Sequence, residues 1–178
     1  MVANRSQATT EARVTASAGM KPIDVKWARA TFDYDPETGA IIRKADGRNA
    51  VRRASTGHAV VYVGGRNIRG ARLAWTLHNG ESPRLGVVCI NGKDMDLRPG
   101  NLKLATRSDQ NATARLSRSN QSGAKGVWWD PRRQRWRVMV QRGGKNHHVG
   151  RFTDFAEACE AYRRASADLH GDFASDGA

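Results

Sequence analysis

The chain has 178 residues, room for one ordinary domain or two small ones with modest cores. Lysine and arginine number 30 against 17 acidic residues, a formal net charge of +13 that favours polyanionic partners: DNA, RNA or an anionic membrane surface. No apolar run approaches the ~20 residues of a bilayer span, the N-terminus has no apolar core of a secretory signal, and the two cysteines, Cys89 and Cys159, form no CxxC pair and imply neither a zinc site nor a disulfide framework.

Taken in chain order, residues 1–24 are poor in hydrophobic residues and rich in Ser, Thr and Ala, the composition of a disordered tail. A first compact region spans 25–116. Within it, Asp33 to Gly39 reads as a turn between two apolar pieces. His58 to Val63 is β-branched and aromatic and predicts a strand, and Gly64-Gly65 predicts a hairpin turn after it. Leu73, Trp75 and Leu77 with their neighbours predict a short helix that stops at Asn79-Gly80. An apolar strand follows at 85–90, then a loop from Asn91 to Gly100 and a return through Leu102 and Leu104. Thr106 or Ser108 caps a helix running to about Leu116.

Residues 117–123 read as a polar linker, with Arg118 adding charge. The region 124–178 opens with three strand-like pieces, V-W-W, R-W-R-V-M-V-Q and N-H-H-V-G-R-F, separated by D-P-R-R-Q and R-G-G-K turns. A helix capped by Thr153 or Asp154 follows, with Phe155, Ala158, Cys159, Tyr162 and Leu169 on one face and Gly171 at its end. Cys159 on that stripe is ordinary core. In the middle strand, Trp136, Val138 and Val140 alternate with Arg135, Arg137, Met139 and Gln141, so one face is apolar and the other basic. By the same parity Val127, Trp129 and His147 face the core, while Trp128 and His148 face outward. Arginine interleaved with aromatic residues on one face of a basic chain points to DNA.

Two resemblances sharpen this reading. Residues 69–106, with V-V-C-I-N-G-K-D-M-D-L-R-P-G-N-L at their centre, resemble the HNH homing-type endonucleases of phages. The resemblance implies a ββα-metal region. It puts the catalytic base at Cys89, an orienting amide at Asn101, and metal ligands at Val88 and Asn111; Ala71 also stands where that family often has histidine. Valine offers no donor to Mg²⁺, and a cysteine with a free pKa near ~8.5 is mostly a neutral thiol. The resemblance therefore implies a scaffold that binds DNA with its chemistry impaired. No cofactor is expected, and Mg²⁺ only if the nuclease is active. The basic stretch Arg43, Lys44, Arg48, Arg52, Arg53, Arg66, Arg69 and Arg72, faced only by Asp46, agrees with retained binding.

The segments S-G-A-K-G-V-W-W-D, W-R-V-M-V, H-H-V-G-R-F, E-A-C-E-A-Y and L-H-G-D-F-A are similar to the Apetala/ethylene-response-factor (AP-two/ERF) DNA-binding fold. That resemblance implies a three-stranded antiparallel sheet backed by one helix, the free face entering the major groove. It puts DNA contacts at Lys125, Trp128, Arg132, Met139, Gln141 and His148, with Arg135 and Arg137 on the same strand. Trp128 and Asp130 stand where the plant members carry arginine, so base preference is not transferred.

The expectation is an α+β protein of a phage or mobile element, a DNA-binding factor of regulatory kind acting on double-stranded DNA in the cytoplasm of a bacterial host, with no membrane partner. Two alternatives stay open: an active HNH endonuclease using other residues, and a phage inhibitor working through protein–protein contact with its basic surface incidental.

Overall fold

The computed structural model describes residues 21–117 and 119–176. Most of the expected N-terminal tail, and Arg118 of the linker, lie outside the described residues. Among the described residues the fold is mixed α+β, with four α-helices and several small antiparallel sheets.

Asp24 caps α1 (Val25–Thr31), its carboxylate accepting from the Trp27 backbone N–H at 3.1 Å. β1 (Phe32–Tyr34) turns back into β2 (Ile41–Arg43), Phe32 opposite Arg43. β3 (Val51–Arg53), β4 (Ala59–Val63) and β5 (Arg66–Arg69) form a three-stranded sheet in that order. Gly64 and Gly65 both have positive φ, 54° and 74°, the backbone that a two-residue hairpin between right-twisted strands requires. α2 (Gly70–Asn79) ends at Gly80 in the left-handed region. Neither α1 nor β3 is signalled by sequence periodicity, because elements this short hold too few residues to display it.

β6 (Gly86–Cys89) pairs antiparallel with β7 (Leu102–Ala105), Cys89 opposite Leu102. Between them, Leu97 is buried in the first core with Phe32, Ile41, Val61 and Leu73. Tyr34 donates its phenol to the Leu97 carbonyl at 2.6 Å, tying the 91–100 loop to β1. α3 (Arg107–Thr113) starts with a capping box of Thr106 and Asp109. It stops at Thr113 and not near Leu116. Ala114 is already extended, and its N–H reaches only to the Asn111 carbonyl. β6, β7 and α3 follow one another as expected, yet nothing in them shows the metal-centred arrangement that the HNH resemblance implied.

The remaining chain forms β8 (Val127–Asp130), β9 (Arg135–Arg142) and β10 (Lys145–Phe152), with β9 central, backed by α4 (Phe155–His170). Asp154 caps α4, accepting from Glu157 N–H at 2.8 Å. Val127, Val138, Val140, Ala158 and Tyr162 are the buried residues of this second core. The halves meet at α3 and β7: the Gly143 N–H donates to Ser108 Oγ on α3 at 2.9 Å, and Lys103 on β7 pairs with Asp172.

Candidate nucleic-acid interface

Pairing across the second sheet assigns its faces. Val127 lies opposite Val138 and Trp129 opposite Trp136 on the helix side. On the outer side Trp128 lies opposite Arg137, and β10 sets Arg151 opposite Arg137, His148 opposite Met139 and Asn146 opposite Gln141. The expected alternation along β9 is therefore present: Val138 and Val140 are buried while Arg135 and Gln141 are exposed.

The Arg137 guanidinium carbon sits 5.4 Å from the centroid of the Trp128 ring, a cation–π stack on a side chain that is 37% exposed. Arg137 Nε is buried and has no hydrogen-bond partner. Arg151 directly opposite carries the same charge, an unfavourable cross-strand pairing on its own. Trp128, Arg137, Met139 and Gln141 also share a cleft of about 440 Å³. With Lys125, which lines the same cleft, these are the sequence-predicted contact residues that the fold brings together. Arg132 lies apart in the exposed β8–β9 turn, its N–H bonded to Asp130, and Arg135 and His148 are exposed on their strands.

Three expectations need correction. Lys125 does not present its ammonium to the sheet's outer face. Its Nζ donates to the Ala112 carbonyl and, at 2.7 Å, to that of Ala114, satisfying carbonyls left open at the end of α3. Burial lowers its pKa. Trp129 has the parity of the core but is 44% exposed, because β8 is an edge strand and α4 packs mainly over β9. Its contact is edge-on to Trp136, 5.2 Å between centroids. His147 is likewise exposed on the other edge strand, although it pairs with the buried Val140.

Of the residues the HNH resemblance singled out, Ala71, Val88, Cys89 and Asn111 line one cleft, but the chemistry expected of them is not there. Cys89 is 7% exposed, and burial, then the nearby charges of Asp94 and Asp96, push its thiol up to about 12. A thiol held neutral cannot take a proton from water. Asn101 spends both ends of its amide on the loop: Nδ2 donates to the Asp96 carbonyl at 2.7 Å, and Oδ1 accepts from Asn91 N–H at 2.9 Å. It does not orient Cys89. Asp96 accepts two bonds from Arg98, at 2.8 and 2.7 Å, which hold its carboxyl far below the usual carboxylate range. Asn111 is exposed on α3, and among the described residues no three His, Cys, Asp or Glu side chains cluster as a metal site would need.

One pair escapes sequence reasoning altogether. His58 Nδ1 meets Asp94 Oδ2 at 3.0 Å, 36 residues apart, and Arg115 approaches the same carboxylate at 3.7 Å. No spacing rule connects those positions. His58 reads only as the start of a strand.

No family model matches the chain, and no solved structure matches it. A curated relative does: Protein 3.8 of Escherichia phage T7 is 33% identical over 101 residues, which cover 56% of this chain and 83% of the relative. These findings overturn both family assignments made from the sequence, since neither the HNH endonucleases nor the AP-two/ERF domains are matched. The motifs that suggested them are largely turn residues and alternating apolar positions. Those report supersecondary structure, which unrelated families share. The phage expectation agrees with the relative's source. Among the described residues no helix is long and apolar enough to cross a membrane.

Proposed function

Since the chain belongs to the family of Protein 3.8 of Escherichia phage T7, we propose that it is a phage DNA-binding protein that holds duplex DNA without cutting it. The observation that carries this reading is Arg137 stacked on Trp128 and set against Arg151 on the outer face of the β8–β9–β10 sheet. Two like charges facing each other are relieved when an anion lies between them, and a guanidinium fork on an exposed strand suits phosphate oxygens. The chain's +13 charge supplies the long-range attraction.

The test is a gel shift on random-sequence duplex, alongside plasmid incubated with Mg²⁺ or Mn²⁺. If about 6–10 phosphates are contacted, affinity falls ~10³–10⁵-fold between about 50 and 200 mM salt, and the plasmid stays intact. A flat salt response, or no shift at low salt, favours the alternative of a protein partner seated on the exposed Trp128 and Trp129. Metal-dependent nicking by the pure protein would overturn the non-cutting part of the proposal.

A further inference from the structure

The His58–Asp94 pair is not isolated. It opens into a cleft of about 400 Å³ between β4, α2, β6 and α3, remote in sequence from the sheet face described above. Arg69, at the end of β5, and Arg107, the first residue of α3, line the same cleft, as does Arg115 just beyond α3. Ala59, Val87 and Cys89 supply an apolar floor. Asp94 is the one acidic residue among the lining groups, and it is engaged by both His58 and Arg115. Arg69 and Arg107 make no ion pair with any described residue.

From this arrangement we infer that the cleft is a second anion site, which holds a backbone phosphate of single-stranded nucleic acid. Guanidiniums gathered around a concavity repel one another unless an anion enters. Two unpaired forks there match the oxygens of a phosphodiester. Asp94 takes the Nδ1 side of His58 and so fixes the ring, leaving Nε2 as the group for a phosphate oxygen. Size selects the strand. A cleft of this volume lies within the usual range for a small ligand and admits one nucleotide unit, whereas a duplex is too wide to enter. No Phe, Tyr or Trp lines it, so the strand is held by phosphate and sugar without stacking on a large ring. This site stands on its own residues and does not depend on the duplex-binding reading.

The experiment uses the full chain and fluorescence anisotropy with a labelled single-stranded oligonucleotide, the matching duplex, and a nucleoside monophosphate as competitor. Arg69→Ala with Arg107→Ala, both exposed positions, is expected to leave the melting temperature unchanged. It weakens single-strand binding at least about tenfold, the loss expected for two charge-assisted hydrogen bonds. It also takes about 0.7 off the slope of log affinity against log salt, for the one phosphate no longer neutralised. Duplex affinity changes by less than about fivefold, the range of an exposed charge away from the binding surface. His58→Gln weakens single-strand binding in the same direction without touching the duplex. The inference fails if single-strand binding survives the double variant, or if both substrates lose equally, which marks a general charge effect. It fails also if the monophosphate competes as tightly as the strand, which makes a free nucleotide the occupant. Loss of duplex binding in Arg137→Ala with no effect of the cleft variants sinks this inference alone. Loss of single-strand binding in the cleft variants with no duplex binding in any form sinks the sheet-face reading alone.

Discussion

Arg137 and Trp128 face each other across neighbouring strands, with the guanidinium 5.4 Å from the ring centroid. The stack holds a cation flat on the outer face of the sheet at little further cost in side-chain entropy, because both groups are already ordered by their strands. Arg137→Ala is expected to lower duplex affinity about tenfold and to take about 0.9 off the salt slope, with no change in melting temperature. Arg137→Lys keeps the charge but loses the planar stack, and falls between the two. Anisotropy against salt measures both. Wild-type affinity in Arg137→Ala removes the sheet face from the binding surface.

Gly126 is where the second core closes on the backbone. Its φ is +65°, and an added Cβ would stand 2.3 Å from Tyr162 Cε2 and 2.5 Å from the Met139 carbonyl oxygen. Gly126→Ala combines a left-handed backbone with a collision against main chain, and is expected to cost more than about 2 kcal/mol. Gly123→Ala has a similar φ of +76° but open space around it, and costs only ~1 kcal/mol. Denaturant midpoints for the two variants give the comparison. Equal midpoints would show that Tyr162 does not pack against Gly126.

Lys125 separates structure from binding. Lys125→Met retains the apolar stem but leaves the Ala112 and Ala114 carbonyls without their donor. Stability is expected to drop by about 1–2 kcal/mol. Duplex affinity at fixed salt is expected to stay within about threefold, because the ammonium is already engaged by the two carbonyls. A large drop in affinity with unchanged melting would return Lys125 to the DNA-facing surface.

Cys89 carries a pH dependence of defined sign. In the folded protein its thiol is pushed from the ordinary 9.0 up to about 12, chiefly by burial. Below pH 9 both folded and unfolded chains hold the proton, and the full stability is present. As pH rises from 9 towards 12 the unfolded chain ionises first, and stability falls away. Cys89→Val removes that dependence, so its stability curve is flatter than that of the wild type over this window. The same burial predicts that Cys89 resists alkylation at pH 8 in the native state and reacts only on unfolding. Rapid native-state labelling of Cys89, as distinct from the more exposed Cys159, contradicts the burial.

Much of this protein is determined by local pattern. Alternation through Trp136, Val138 and Val140 separates the two faces of β9, because successive strand side chains point to opposite sides. Paired glycines at 64–65 and 143–144 require hairpins, since their positive φ values suit few other residues. Thr106 and Asp154 begin helices by capping amides within three residues of themselves. The basic balance needs no fold at all. What tertiary structure alone decided is how far each face is covered and which distant groups meet. Trp129 and His147 keep the core's parity yet remain exposed, because α4 packs mainly over β9 and covers the edge strands only in part. Lys125 turns to the end of α3, and Asn101 to its own loop, because buried carbonyls and amides need partners that a strand pattern does not encode. His58 finds Asp94 across 36 residues only once β4 and the 91–100 loop pack on the same side of the first core. Local periodicity reports which way a side chain leaves the backbone; the packing of whole elements decides what it meets there.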